Sequence, residues 1–370
     1  MPVPGGRKAG RRRAQLSQEP GIGDVGATFE AAIERELSDL RHRDLRGPAS
    51  VLSERYRFGD LTGGSHGFAP GQVQAYLATR VPATFAATRR VLSELSSLRP
   101  GWAPRSVLDV GAGPGTATWA AKAVFPSIEQ AQLVEREPVM AALGVRLAGS
   151  DLPDLLGDCA WTIGDAVEVA TAKSDLVVVA YVLGELGHGR EQPALQRWWG
   201  ATGGELVLVE PGTPAGFERL RAARSALISW GAQVTAPCPH DGRCPMAGPD
   251  WCHFSVRLER SSLHRELKGA RLGYEDEKYS YLAVSASRPS SPVARLVRSP
   301  RRHKGHVRLL LCETSGLGER IISRRDGEIY KRARAARWGD RLSAPEPPRP
   351  ASGGERLLGS EPGPPGGNEP

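Results

Sequence analysis

From residue 107 to 116 the chain reads Val-Leu-Asp-Val-Gly-Ala-Gly-Pro-Gly-Thr, with Asp109 just ahead of Gly111, Gly113 and Gly115. An apolar run that ends in an acid and enters a glycine-rich turn lets the backbone pass close beneath a ligand before a helix begins. Asp109, Gly111, Ala112, Gly113 and Gly115 therefore form a candidate cofactor-binding set. Two further acids extend it. The next apolar run ends in Glu135, about where a carboxylate would meet a ribose diol, and Gly164-Asp165-Ala166 follows the third expected strand. A glycine pair of this kind also occurs in dinucleotide enzymes. Those enzymes need room for a pyrophosphate at the helix N-terminus, where Asp109 would be unhelpful.

The second chemistry-bearing segment is Cys238-Pro-His-Asp-Gly-Arg-Cys244-Pro-Met-Ala-Gly-Pro-Asp-Trp-Cys252-His. Buried structural cysteines sit within apolar runs. These three sit among Pro, Gly and Asp, and such clustering points to a metal. Zinc or an iron–sulfur cluster would each need a fourth ligand, for which His240, His253 and Cys312 are candidates. Zinc sites usually pair cysteines two to four residues apart, whereas the gaps here are five and seven. The wider spacing fits a [4Fe–4S] cluster on Cys238, Cys244, Cys252 and Cys312 better, with zinc the alternative. Cys159 stands apart from the others and reads as ordinary core.

These residues need elements to position them. Apolar runs at 106–109, 131–134, 160–163, 175–180 and 205–209 are spaced as strands with helices between them, at 116–124 and 138–147 for example. That alternation predicts an α/β class with a mostly parallel, Rossmann-like sheet. The runs at 254–258 and 278–285 read as an antiparallel edge pair. Ahead of the sheet, helices at 25–43, 70–80 and 82–98 would form a helical N-terminal cap, with Phe85, Leu92, Leu95 and Leu98 as one buried stripe. After it, runs at 305–312 and 320–323 flank the turn SGLGE as a hairpin, and Asp326 would cap a basic helix to about Trp338. The expected organisation is a basic tail at 1–20, a helical domain at 21–100, the sheet domain at 101–288 with the cysteine loop at 237–253, a basic module at 295–341 and a disordered tail at 343–370.

Charge adds a partner. The chain of 370 residues carries a formal net charge of +8. From Arg295 to Arg341 it holds fourteen Lys and Arg against five Asp and Glu, a block placed on expected structure. Such a block favours nucleic acid over a merely solvated face. Little aromatic interleaving makes shape and charge the expected mode of recognition. No apolar run approaches the ~18 residues of a membrane span. The arginine-rich N-terminus could serve as a transit peptide, but it lacks an amphipathic apolar face and reads as a basic tail. A composition heavy in Arg, Ala, Gly and Pro points to a bacterial cytoplasmic protein, expected to act as a monomer without membrane contact.

The glycine loop, Glu135 and Asp165 resemble the class I S-adenosylmethionine-dependent methyltransferases. The resemblance implies that Gly111, Gly113 and Gly115 pass beneath the methionine part of the cofactor. It implies that Glu135 holds the ribose hydroxyls and that Asp165 lies near the adenine amine. The position after the fourth strand reads Ala180-Tyr181-Val182-Leu183-Gly184-Glu185 and lacks the Asn/Asp-Pro-Pro-aromatic run of amino-methylating members. Catalytic residues are left unassigned, with Glu185 and Glu210 as possible polar groups at the pocket mouth. Taken with the cysteine loop, VEPGTP, DWCHFSVRLER and the basic KGHVRLLLC…DGEIYKRAR segment, residues 50–340 resemble the methyltransferase-like assembly factors of the mitochondrial small ribosomal subunit and their bacterial relatives. That family implies S-adenosylmethionine, a four-cysteine [4Fe–4S] cluster, and contact with small-subunit ribosomal RNA or the assembling subunit. A ribosomal RNA methyltransferase, a non-catalytic assembly factor and a small-molecule methyltransferase remain distinct readings.

Overall fold

The five apolar runs become parallel strands: β1 Ser106–Val110, β2 Gln130–Glu135, β3 Asp158–Ile163, β4 Ser174–Ala180 and β5 Thr202–Pro211. The computed structural model describes residues 24–58, 67–149, 158–187, 189–246, 248–287 and 294–342. The tails expected at 1–20 and 343–370 lie outside the described residues. The chain divides into two units between Ser291 and Pro292.

In the first unit the strand order is β3-β2-β1-β4-β5-β8-β6, where β6 is Gln233–Ala236 and β8 is Tyr274–Ser285. β8 runs antiparallel to β5 and to β6, and its first half pairs with β7, Phe254–Glu259. The mostly parallel sheet with an antiparallel edge is thus the fold adopted, and β6 is an edge strand that the sequence did not disclose. Leu108, Val177, Leu206 and Val284 are buried in the core of the sheet. Burial of the central strands leaves no polar alternation to read, as expected for a sheet covered on both faces.

Before β1 lie four helices: α1 Val25–Leu37, α2 His42–Phe58, α3 Gln72–Thr79 and α4 Val81–Leu98. Asp24 caps α1, its Oδ1 accepting from the Gly26 N–H at 3.0 Å. Phe29 of α1 stacks on Trp119 at 5.0 Å and tilts against Phe85 of α4 at 5.1 Å. Trp119 belongs to α5, Thr116–Val124, the helix that leaves the glycine loop. The cap is therefore locked to the helix that follows the glycine loop. Helix α2 was missed because Gly47-Pro48 reads as a breaker. Its buried stripe of Leu45, Ala49 and Leu52 was the available signal. Helices α6 Pro138–Ala148, α7 Glu191–Gly200, α8 Pro214–Ser229 and α9 Ser262–Leu267 complete the unit. Among the described residues, no helix is long and apolar enough to cross a membrane.

The second unit holds strands β9 Ala294–Leu296, β10 Arg301–Arg302, β11 His306–Glu313, β12 Gly316–Ser323 and β13 Arg341–Leu342, with helix α10 Gly327–Ala335. β11 and β12 form a hairpin that closes where Glu313 faces Gly316. Val307, Leu309 and Leu311 alternate along β11 and pack with Leu296, Ala333 and Ala336 into a small core. Asp326 sits at the N-cap of α10 but gives that helix no side-chain cap. Its carboxylate turns back to accept from the Ser323 N–H at 2.6 Å, holding the turn between hairpin and helix.

Candidate functional site

The glycine loop takes its shape from left-handed backbone. Gly111 and Gly113 have φ of 65° and 55°, a region a side chain rarely enters. A Cβ at Gly111 would stand 2.4 Å from Val182 Cγ2, so nothing larger fits there. At Gly113 the nearest atom to such a Cβ is Tyr76 Oη at 3.9 Å, so this backbone borders open space. Gly115 packs against Leu133 and Trp161, and the Ala112 N–H donates to the Val134 carbonyl at 3.0 Å. Asp109 is buried behind the loop. Its Oδ2 accepts from Thr118 N at 2.9 Å and from Thr118 Oγ1 at 2.8 Å, tying β1 to the first turn of α5. Burial pushes its carboxyl up to about 7, against those two hydrogen bonds.

Glu135, at the end of β2, is held from both sides. One oxygen accepts from the Gly113 N–H at 2.7 Å and the other from the Glu137 N–H at 2.8 Å. Burial raises its pKa, while the two backbone donors oppose the rise. After β3, Asp165 Oδ1 accepts from the Val167 N–H and from Arg190, each at 2.8 Å. Gly111, Gly113, Glu135 and Asp165 all line one cleft of about 820 Å³. Asp109, Ala112 and Gly115 are not among its lining residues; they shape the loop from behind.

The far wall of the cleft comes from β4, β8 and the cap helices. Tyr181, just after β4, has φ of 64°, the one non-glycine residue with positive φ among those described. Its hydroxyl donates to Glu277 Oε1 on β8 at 3.3 Å. Arg80 and Lys268 border the same space. No sequence signal announces the Tyr181 backbone, whereas the period-two alternation of β8 would have exposed Glu277. Glu185 lines the cleft and Glu210 does not. Glu210 is buried, accepting from Leu183 N at 3.1 Å and Arg219 Nε at 2.9 Å. Burial pushes its carboxyl up to about 7 against the pull of Arg219. Its place is to hold the loop after β4.

The cysteine loop leaves β6 and is fastened to the first unit by polar contacts. Asp241 Oδ1 accepts from Val234 N at 2.8 Å, and Arg224 donates to the His240 carbonyl at 2.6 Å. Trp251 Nε1 donates to the Gly212 carbonyl at 2.9 Å, and Ser280 Oγ to the Cys252 carbonyl at 2.8 Å. Cys238, Cys244 and Cys252 are each half-buried. Cys312 belongs to the second unit, buried on β11 opposite Leu317 and Arg295. Among the described residues, no three His, Cys, Asp or Glu side chains are gathered closely enough to hold a metal ion. The donor set suits soft metal chemistry, since three thiols lie on one anchored loop.

Cations cover the second unit. Arg301, Lys304, Arg324, Arg325, Lys331 and Arg332 are exposed. Several cations are engaged: Lys331 pairs with Glu328, Arg308 with Glu319 at 2.8 Å and Arg320 with Glu313 at 2.9 Å, and Arg302 donates to the Ala336 carbonyl at 2.7 Å.

The family model described as mitochondrial small ribosomal subunit Rsm22 matches residues 70–343. The human ribosome assembly protein METTL17, mitochondrial, is 28% identical over 298 residues, covering 74% of this chain and 63% of that protein. The Rsm22-cox11 tandem protein 2, mitochondrial, of Schizosaccharomyces pombe is 26% identical over 322 residues, covering 73% of this chain and 43% of that protein. The chain thus spans less than two thirds of the length of either relative. Among solved structures, magnesium protoporphyrin IX methyltransferase from Synechocystis PCC 6803 with bound SAM aligns with a TM-score of 0.38 and 13% identity, covering 73% of this chain and 100% of that one. The expectation of a bacterial cytoplasmic protein is corrected by these matches, because the family description and both relatives' names are mitochondrial. Richness in Arg, Ala, Gly and Pro reports base composition and carries no address. The chain belongs to the mitochondrial small ribosomal subunit Rsm22 family.

Proposed function

We propose that this chain is an S-adenosylmethionine-binding, methyltransferase-like assembly factor of the small ribosomal subunit that contacts its ribosomal RNA. One observation carries the cofactor part. The Glu135 carboxylate is fixed by the N–H groups of Gly113 and Glu137 at the edge of a cleft that the open face of Gly113 and the side chain of Asp165 also line. A carboxylate held this way keeps lone pairs for the two hydroxyls of a ribose. Asp165 offers an acceptor for an exocyclic amine, and the Gly113 backbone leaves room for the chain between them. When bound, S-adenosylmethionine supplies an electrophilic methyl group. The protein's share is to orient it, and positioning of that kind can meet much of a transfer barrier.

The second unit supplies the RNA contact in this reading. Its exposed arginines and lysines would track phosphates, with affinity that falls steeply as salt rises. Cys238, Cys244, Cys252 and Cys312 would hold a [4Fe–4S] cluster, supported by the thiol donor set and by the polar anchors of the loop; zinc on the same thiols is the alternative. The cluster's part is structural, fixing the conformation of a segment that is rich in Pro and Gly.

A non-catalytic form of this reading is favoured by the loop after β4. There Glu210 is spent on backbone and Arg219, and Tyr181 is bonded to Glu277. Ultraviolet crosslinking of the full chain to RNA, followed by sequencing, tests the partner. Recovery of small-subunit ribosomal RNA supports the proposal, and crosslinks indifferent to it contradict the proposal. Transfer of a labelled methyl group to that RNA separates the catalytic form from the non-catalytic one.

A further inference from the structure

The cleft straddles the point between β1 and β4 where the order of the strands reverses. From β1 the order runs outward through β2 and β3, and on the other side through β4, β5 and β8. Glu135 and Asp165 stand over the first half, and Tyr181 and Glu277 over the second. Ligands of open α/β sheets lie across such a reversal, so the second half is placed to receive whatever meets the cofactor.

Its chemistry is specific. The Tyr181 hydroxyl donates to one oxygen of the half-buried Glu277 carboxylate, and Glu277 lines the cleft. Arg80 and Lys278 border the cleft and supply positive charge, as does Lys268, whose ammonium is paired with Glu275 at 2.8 Å. Phe68 and Tyr76, in edge-to-face contact at 6.0 Å, form an aromatic wall of the cleft, with the Tyr76 hydroxyl on its Gly113 side. The Tyr181 N–H donates to the Val209 carbonyl at 2.7 Å while its backbone is left-handed, and such conformations persist where the surroundings impose them, often at binding sites. An aromatic wall, a fixed carboxylate acceptor and cations at the border match a nucleotide: a flat base, an edge that donates, and a phosphate.

We propose that Tyr181 and Glu277 form a nucleotide subsite that selects a base presenting an exocyclic amino group and rejects uracil. The Glu277 carboxylate would accept from that amino group, with Tyr181 positioning the carboxylate. Uracil places carbonyl oxygens on both sides of its single edge N–H, and a carboxylate repels them. This subsite rests on the reading that the other half of the cleft takes S-adenosylmethionine.

The test is calorimetric titration of the full chain with CMP and with UMP, each with and without S-adenosylhomocysteine. CMP is expected to bind at least roughly tenfold tighter than UMP, the scale of one hydrogen bond to a charged group. Glu277→Gln is expected to shrink the difference to about threefold or less, while S-adenosylhomocysteine affinity stays unchanged. Equal binding of CMP and UMP, no binding of either, or discrimination that survives in a folded Glu277→Gln protein would overturn the subsite. The wild-type comparison decides even where the variant fails to fold. Discrimination without any S-adenosylhomocysteine binding would keep the subsite and remove the cofactor reading, so the two failures are told apart.

Discussion

At the scale of residues, the acids of this site divide into those that face a ligand and those that hold backbone. Glu135 faces the cleft, and replacing it removes a charged acceptor from the proposed ribose contact. Glu135→Gln should weaken S-adenosylmethionine binding by roughly ten- to a hundredfold, the range for a hydrogen bond to a charged group. Asp109 belongs to the second kind, and its burial has a consequence for stability. Its carboxyl moves from 3.8 to about 7 on folding, so the folded state binds the proton more tightly than the unfolded one. The associated stability is fully present below about pH 4 and is lost as pH rises towards 7. Asp109→Asn should therefore flatten the fall in urea midpoint between pH 4 and pH 7. An unchanged slope would show that Asp109 is ionised in the fold throughout. The two kinds of acid were only partly separable in the sequence. Spacing after each strand found Glu135 and Asp165, but Asp109 looked equally like a ligand contact until Thr118 was seen to occupy it. Tyr181 was beyond reach, because a positive φ at a non-glycine residue is imposed by tertiary surroundings and leaves no local signature.

Elements explain how the site is kept in place. Phe29, Phe85 and Trp119 join α1, α4 and α5, so the cap braces the helix that leaves the glycine loop. Phe29 is 1% exposed, and Phe29→Ala should cost about 3–5 kcal/mol in urea unfolding. A loss well under ~1 kcal/mol would show that the cap closes around the gap. On the second unit, the exposed Arg324, Arg325, Lys331 and Arg332 sit around the start of α10 and along it. Changing all four to Gln should weaken RNA binding and flatten the dependence of log affinity on log salt by about 0.7–0.9 per lost phosphate contact. An unchanged slope would move the RNA surface elsewhere. Strands of the parallel sheet were legible because apolar runs at βα spacing have few other uses. Helix α2 and strand β6 were not. The first hides behind Gly47-Pro48, and the second is four residues long and pairs with β8, where Gln233 faces Ser285 far along the sequence.

The molecule as a whole combines a cleft beside the glycine loop, an anchored cysteine loop and a basic second unit in one chain of the Rsm22 family. The metal part has its own outcome. Anaerobic purification with iron, sulfide and zinc analysis should find about four irons per chain, and Cys252→Ser should lower that content while S-adenosylmethionine binding persists. About one zinc per chain would replace the cluster without touching the cleft. The family was legible from the joint occurrence of motifs, whereas the compartment was misread because composition does not encode an address. The proposed cofactor role of the cleft is tested by calorimetric titration of the full chain with S-adenosylmethionine. Saturable binding at one site per chain, lost or strongly weakened in Glu135→Gln, is the predicted result. Absence of binding by a folded wild-type chain, or binding indifferent to Glu135, would contradict it.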